Sequence, residues 1–299
     1  MAAPPEHRMA EHRLGLILVA ISTLAWSTAG LFTRAITEDL FTVLVWRGLF
    51  GAIRMLGVLL ALQGPQGLKG FLRLGRVGWL YALIAGAGML SYITALRLTS
   101  IAHVAVIYAV VPFMTAALAW ALLHERPTRD AVAASLAAFA GAVVMVGWGH
   151  DGTLAGDALA FLMTVAMALM VVIARRHPEI PTLPAGITSA MITVILSLPF
   201  AQNLAPATAP DQLLLLAGFG LVNSTLGFAL FLMGSTRIAP IETALIGALE
   251  APIAPLWVWL IFNETPSLAT LIGAGIVFAA VIWHITRQYG STSPAFPPI

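Results

Sequence analysis

The sequence contains no cysteine and a single lysine, and charged residues make up only 9% of its 299 residues. The absence of cysteine excludes disulfides, thiolate nucleophiles and cysteine-based metal sites. Because 60% of the residues are hydrophobic, too few polar residues remain to cover the core of an ordinary soluble domain. The sequence therefore predicts a polytopic membrane protein whose surroundings are the lipid bilayer.

The sequence also lacks the motifs of common enzymes. No G-x-x-x-x-G-K, H-E-x-x-H or G-x-S-x-G pattern is present, and no paired nucleophile and base or metal-ligand cluster can be found. Its basic residues are scattered singly or in pairs, which argues against a nucleic acid partner despite the net charge of +2. We therefore expect no catalytic residue, no metal, no cofactor and no bound nucleic acid.

What the sequence does contain is a series of apolar stretches with short connections. Each is close to the ~20 residues that a helix needs to cross the hydrocarbon core of a bilayer. The series predicts an all-α integral membrane protein with ten transmembrane helices, called spans one to ten below. The stretches fall at 14–33, 40–62, 77–97, 103–123, 130–147, 156–174, 184–201, 213–234, 242–262 and 268–286.

Basic residues are distributed unevenly between the two sides that these spans define. With a cytoplasmic N-terminus, eleven of the 15 Lys and Arg residues lie in inside segments, whereas only Arg34 and Arg97 lie in outside loops. Positive residues favour the cytoplasmic side of a membrane. We therefore predict that the N-terminal lead, residues 1–13, and the C-terminal tail, residues 287–299, are both cytoplasmic.

A repeated pattern relates the two halves of the chain at an offset of 139 residues. Chance overlay of two apolar helices gives matches of Ala and Ile, but rarely of Trp, Glu and Pro at fixed spacing. Each half, 14–147 and 156–286, has five spans, so the second begins on the opposite side of the membrane. The sequence thus predicts two inverted five-helix repeats around a central cavity with a midplane substrate site. The aligned pairs are Trp120 with Trp259, Glu125 with Glu264 and Pro127 with Pro266.

The ninth span contains the residues least suited to lipid. Glu250 lies near its midpoint, and Pro252 and Pro255 deny the helix backbone hydrogen bonds. A carboxylate at the bilayer centre is costly, so this segment is expected to face protein or a water-filled cavity. Its counterpart in the first half is Val111, so the carboxylate belongs to one half alone. Glu250 either pairs with an intramembrane arginine to fix helix packing, or binds a substrate amine or couples protons.

Four further titratable residues are candidates for a role in transport or packing. Arg47, inside the second span, can bind a carboxylate through two hydrogen bonds, either that of Glu250 or that of a substrate acid. His103, at the start of the fourth span, is placed for a pH-sensitive gate, although an interfacial histidine can also be simply solvated. Glu125 and Glu264 end their spans, where a carboxylate can bond the next helix or a nearby arginine, so we interpret them as structural.

Aromatic, thioether and amide side chains are dense where a central cavity is expected. Methionine and aromatic walls suit varied substrates because they repack and are polarizable, although ordinary helix packing explains many membrane aromatics as well. The predicted cavity residues, besides Glu250, are Trp26, Tyr81, Tyr92, Tyr108, Met163, Met167, Asn223 and Trp257.

Small residues recur at helical spacing on spans five and ten. Ala133, Ala137 and Gly141 follow each other at intervals of four, and Gly275 and Ala279 repeat that interval. Such faces let helix backbones approach closely. They predict close packing, either within one protomer or between two copies in a homodimer.

In this order, the features resemble those of the EamA-type transporters of the drug/metabolite transporter superfamily. The resemblance extends from about residue 14 to residue 286, with one departure: Ala251 separates Glu250 from Pro252, where the family has Glu and Pro adjacent. The matching residues are the AWSTAG stretch of span one, Arg47, Pro112 with the small-residue run to Glu125, and Glu250, Pro252 and Glu264.

The resemblance implies a bacterial inner-membrane exporter of amino acids and related small metabolites, with the family's aromatic amino acid exporters as the nearest match. It also implies that spans three, four, eight and nine surround the cavity and that spans five and ten lie behind it. From the residues we expect lining by spans one and six as well. The alternatives are a multidrug or nucleobase-like metabolite exporter, a non-transporting membrane scaffold or sensor, and a membrane-embedded enzyme.

Overall fold

The structure is a computed structural model that describes residues 5–99, 101–146, 153–202, 204, 210–263 and 265–290. Within these ranges it describes side chains except those of residues 5–8, 33–34, 96–97, 101–103, 146, 210, 258 and 288–290. All secondary structure in the described part of the chain is helical, which confirms the predicted all-α class.

The helices of the first half are α1 (Pro5–Ser27), α2 (Ala29–Ala35), α3 (Leu40–Gln63), α4 (Lys69–Leu72), α5 (Gly75–Leu98), α6 (Ile101–Tyr108), α7 (Val111–Leu123) and α8 (Arg129–Val146). Those of the second half are α9 (Leu154–Arg176), α10 (Thr182–Ser197), α11 (Pro210–Phe219), α12 (Phe228–Ser235), α13 (Pro240–Gly247), α14 (Glu250–Phe262) and α15 (Leu268–Gly290). Short 3-10 turns follow α3 and α10, and the eight residues Gly220–Gly227 between α11 and α12 form a π-helix.

Nine helical segments within the described ranges are long and apolar enough to cross a membrane. The remaining predicted span, span five, corresponds to α8, whose first turn contains Arg129 and Asp130 and which packs along α15. Spans one, four and nine each consist of two helices, and span eight consists of α11, the π-helix and α12. The ten-helix architecture predicted from the sequence is confirmed.

Spans four and nine are interrupted at equivalent positions. The first helix of span four ends at Tyr108 and the second begins at Val111; in span nine the corresponding residues are Gly247 and Glu250, each 139 positions later. Both second helices are followed by a residue with left-handed backbone, His124 in one and Asn263 in the other, again 139 apart. The internal repeat is therefore visible in where the helices break and where they end.

Spans five and ten pack directly against each other within the protomer. A Cβ atom added to Gly141 would lie 2.8 Å from the carbonyl oxygen of Gly273, so only glycine permits this approach. Of the face predicted for span five, Gly141 lies at this contact and Ala137 is partly buried, but Ala133 is exposed, and Ala131, Ala134 and Ala138 are buried instead. On span ten the predicted packing within the protomer is wrong, because Gly275 and Ala279 are exposed and α15 instead turns Gly273, Val277 and Val281 inward. The homodimer stays a prediction.

Candidate functional site

A central cavity of about 120 Å³ lies between the two halves of the bundle. A single water needs roughly 10–15 Å³ of such volume, so the cavity has room for a small organic molecule. Described residues of spans one, two, three, four, six, seven, eight and nine line it. Spans two and seven were not expected in the wall, whereas spans five and ten contribute none of the described lining residues.

Most of the residues predicted for the cavity, together with Arg47, which was predicted as an ion-pair or coupling residue, are brought together in its wall. They come from seven different spans, so the fold gathers side chains that are far apart in the sequence. The predicted residues that line the cavity are Trp26, Arg47, Tyr92, Tyr108, Met163, Met167, Asn223 and Glu250.

Glu250 is the first residue of α14, directly after the break in span nine. The break places the N-terminus of α14 at the cavity, where the positive end of the helix dipole favours a negative charge. None of the described side chains lies within hydrogen-bond or ion-pair distance of its carboxylate. The carboxylate therefore faces the cavity without a protein cation beside it.

Arg47 reaches the same cavity from α3, and only 4% of its surface is exposed. Its guanidinium carbon lies 4.8 Å from the centre of the Phe219 ring, and its Nε atom has no hydrogen-bond partner in the described part of the protein. The suggested ion pair with Glu250 is not formed, because no nitrogen of Arg47 comes within 4.0 Å of a described carboxylate oxygen. Lining the same cavity did not bring the two charges into contact.

Two tyrosines lie in the field of these charges. The Tyr92 hydroxyl interacts electrostatically with both Arg47 and Glu250, and that of Tyr108 interacts with Glu250 and with Tyr92. The titratable groups of the wall are therefore a guanidinium, two phenols and a carboxylate. Such a set can donate to an anionic group at one place and accept from a cationic group at another.

Comparisons with known proteins identify the family of the chain. The model of the EamA-like transporter family matches residues 13–147 and again residues 154–286, which together make up most of the sequence. The chain belongs to the EamA-like transporter family. A solved crystal structure, titled only as that of a protein, superposes with a TM-score of 0.75 and 21% identity over 93% of this chain and 99% of that chain. A similarity at this level of identity shows the fold alone, and a comparison with curated protein sequences gives no match.

In this EamA-like transporter, a π-helix and polar side chains join span eight to span one beside the cavity. The Asn223 amide donates to the carbonyl of Ala25 at 3.0 Å and to the hydroxyl of Thr28 at 3.1 Å. The indole of Trp26 donates to the Asn223 carbonyl at 3.1 Å, and Ser22 donates to Gly227 at 2.7 Å. Asn223 therefore lines the cavity but uses its amide donors to bridge two helices.

Two of the predicted cavity residues lie outside the wall. Tyr81 is completely buried and packs edge-on against Phe228, with 6.0 Å between the ring centres. The indole of Trp257 donates to the hydroxyl of Ser27 at 2.9 Å, which joins span nine to span one. The predictions for these two residues are corrected to packing roles. The side chain of His103 and the whole of Glu264 lie outside the described residues.

The other repeat-motif residues of the EamA-like chain lie at the ends of spans. Glu125 contacts Arg175 at 3.4 Å, a partner of the kind expected for a structural carboxylate. The repeat partners Trp120 and Trp259 are exposed on the outside of the bundle, and Pro127 and Pro266 lie in the loops that follow their helices. These residues shape the framework at a distance from the cavity.

Sequence reasoning missed one part of the wall, the span-seven face on α10. Its small and hydroxyl-bearing residues recur at the spacing of one helix face, a signal that the sequence contained. Gly186 of this face is 139 positions after Arg47, so it occupies the equivalent place in the second repeat. The lining residues of this face are Gly186, Ser189, Ala190 and Thr193.

Proposed function

We propose that this EamA-like transporter exports amino acids, both aromatic and other neutral ones, together with related small metabolites. It does so by alternating access across the bacterial inner membrane, with both chain termini in the cytoplasm. The observation that carries the proposal is the pair of opposite charges, Arg47 and Glu250, that face one cavity without pairing. An amino acid has a carboxylate for the first, an ammonium group for the second and a side chain for the remaining wall.

The rest of the wall supports substrates of differing side chains. Met163, Met167 and Met170 of α9 and the ring of Trp26 supply polarizable surface that adapts to different shapes. Such a wall binds large neutral side chains without demanding a particular hydrogen bond. We therefore expect phenylalanine and methionine to be carried better than threonine.

Transport of labelled amino acids by the purified protein tests the proposal. Proteoliposomes loaded with radiolabelled phenylalanine, methionine or threonine should release label faster than protein-free vesicles of the same lipid loaded in the same way. Release at the rate of protein-free vesicles for all three would contradict amino acid export. Repeating the assay with and without a pH gradient shows whether proton movement drives the cycle.

A second candidate, export of drugs or nucleobase-like metabolites, is favoured by the aromatic part of the wall. Trp26, Tyr92, Tyr108 and Phe219 all line the cavity, and stacked aromatic ligands suit such a surface. Competition decides between the candidates. Inhibition of transport by flat aromatic compounds with no inhibition by amino acids would favour the second.

A further inference from the structure

The two charges in the cavity come from different halves of the molecule. Arg47 belongs to the first repeat and Glu250 to the second, and the residues equivalent to them by the 139-residue offset are Gly186 and Val111. Gly186 lines the cavity without a charge, and Val111 is buried. Each half therefore contributes one charge at a place where the other half is neutral.

These are also the only charged side chains among the described residues that line the cavity. Phe219 covers one face of the Arg47 guanidinium, and the Nε donor of Arg47 has no described partner. The planar edge of the guanidinium is therefore available to a ligand. A guanidinium edge matches a carboxylate through two parallel hydrogen bonds. Glu250, at the N-terminus of α14, can only accept hydrogen bonds when ionised and so matches an ammonium group.

From this arrangement, and resting on the proposed function, we infer that the substrate bridges the two repeats. Arg47 of the first repeat binds the α-carboxylate, Glu250 of the second binds the α-ammonium, and Tyr92 lies in the field of both. The side chain of the substrate then lies against the methionines of α9.

Bridging has a consequence for what is carried as opposed to what is bound. In inverted-repeat transporters the halves move relative to each other around a site at their interface. A ligand can shift that equilibrium only by the difference in its affinity for the two states. A zwitterion contacts both halves, so it binds more tightly to the state that brings the halves together and shifts the equilibrium toward it. A ligand with only one of the two charges is held by one half and does not gain in this way.

Three analogues of phenylalanine separate the two charges. 3-Phenylpropionate keeps the carboxylate, phenethylamine keeps the ammonium group, and phenylalanine carries both. Binding of each to the purified full-length protein is measured as the rise in melting temperature in detergent, and transport is measured separately in proteoliposomes. We expect both single-charge analogues to bind and to inhibit phenylalanine transport, and neither to be transported.

Variants assign each charge to its residue. Arg47→Gln should abolish stabilisation by 3-phenylpropionate and leave that by phenethylamine, whereas Glu250→Gln should do the reverse. Each should weaken phenylalanine binding by about tenfold or more, because a charge-assisted hydrogen bond is lost. Arg54→Gln is the matched control, because Arg54 lies two turns further along α3, donates to the Ala217 carbonyl and does not line the cavity.

The outcomes separate this inference from the proposed function. If phenylalanine is not transported but the two analogues still respond to opposite variants, amino acid export is wrong and the division of charges stands. If phenylalanine is transported but both analogues respond to the same variant, to neither, or in the reversed sense, the division of charges is wrong. Transport of phenethylamine or 3-phenylpropionate at the rate of phenylalanine would overturn the bridging role. If Arg47→Gln fails to fold, Arg47→Lys can replace it, because lysine keeps the charge but not the planar guanidinium. Transport of the two analogues by the unmodified protein tests the bridging role without any variant.

Discussion

At the residue scale, Asp39 shows how one carboxylate both begins a helix and joins the two halves. Its Oδ1 accepts from the backbone N–H groups of Phe41 and Thr42, each at 3.1 Å, and its Oδ2 accepts from the backbone N–H of Gln202 at 3.3 Å. Burial raises the pKa of Asp39, but the hydrogen bonds from Thr42, Gln202 and Phe41 together outweigh it. The pKa therefore lies below its usual 3.8.

We predict that Asp39→Ala lowers the stability of the protein by about 1 kcal/mol, the usual cost of losing a helix N-cap. Because the folded state lowers the pKa, the ionised carboxylate stabilises the fold above pH 3.8, and this contribution is lost as the pH falls below that value. Melting temperatures in detergent across this range measure both effects.

Asp39→Asn serves as the matched comparison, since its amide oxygen still caps α3. It should lose less stability than the alanine variant and should lack the acid-dependent part. An unchanged melting temperature for Asp39→Ala at neutral pH would show that the cap contributes nothing.

The residue types of the cavity wall could be predicted from the sequence, but the position of each residue along its helix relative to the cavity could not. Tyr81 and Tyr92 are eleven residues apart on α5 and thus lie on nearly the same helix face, yet about 16 Å separates them along the axis at 1.5 Å per residue. Tyr92 therefore reaches the cavity while Tyr81 packs in the core. Trp257 lies two turns beyond Glu250 on α14 and reaches Ser27 for the same reason. Periodicity indicates a face, whereas the extent of a cavity depends on how the helices break and pack.

At the element scale, the contact between α8 and α15 depends on two glycines that face each other. A Cβ atom on Gly273 would clash with the Gly141 carbonyl oxygen and with the backbone of Met145. We predict that Gly273→Ala pushes the helices apart and costs about 1–3 kcal/mol, as overpacking usually does. The melting temperature of the purified protein measures the loss.

Gly275→Ala is the control, two residues away on the same helix. Gly275 is exposed and has no atom within 4 Å of where its Cβ would be. It should keep its stability or gain up to about 1 kcal/mol, because alanine favours helix more than glycine does. Equal losses in the two variants would mean that the close approach of α8 and α15 is not what Gly273 provides.

The breaks in spans four and nine show what the sequence pattern could and could not indicate about an element. Pro112 is the second residue of α7, whereas the equivalent position of α14 is Ala251 and its proline follows at Pro252. Both helices nevertheless begin at equivalent residues, since the first turn of a helix tolerates proline at either place. The departure from the family pattern noted in the sequence therefore leaves the position of the break unchanged. The repeat offset predicts that position, and the proline alone does not.

At the scale of the whole molecule, polar contacts join the two halves at both ends of the bundle. At the end predicted to be cytoplasmic, Arg237 pairs with Glu11 at 3.0 Å and Arg175 with Glu125 at 3.4 Å. At the other end, the hydroxyl of Thr99 donates to Asp157 at 2.7 Å. Partly exposed ion pairs are each worth about 0–1 kcal/mol, so such contacts can break without a large cost. These partly exposed contacts add little to the cohesion of the halves, whereas the contact of His12 with the buried carboxylate of Glu242, at 3.1 Å, joins them away from solvent.

The orientation of the bundle can be measured because the natural chain has no cysteine. Gln66 is exposed in the connection between spans two and three, and Thr265 is exposed in the connection between spans nine and ten. If both termini are cytoplasmic, a membrane-impermeant maleimide should label Thr265→Cys in intact cells and label Gln66→Cys only after the membrane is opened. The unmodified protein serves as a blank.

If only Gln66→Cys is labelled in intact cells, both termini lie outside the cytoplasm. The prediction that Lys and Arg mark the cytoplasmic side would then be wrong. The measurement matters for the mechanism because Arg47 and Glu250 lie on helices that cross the membrane in a fixed sense. With cytoplasmic termini, α14 runs outward from the cavity, so its N-terminus and Glu250 face the side from which a substrate for export arrives.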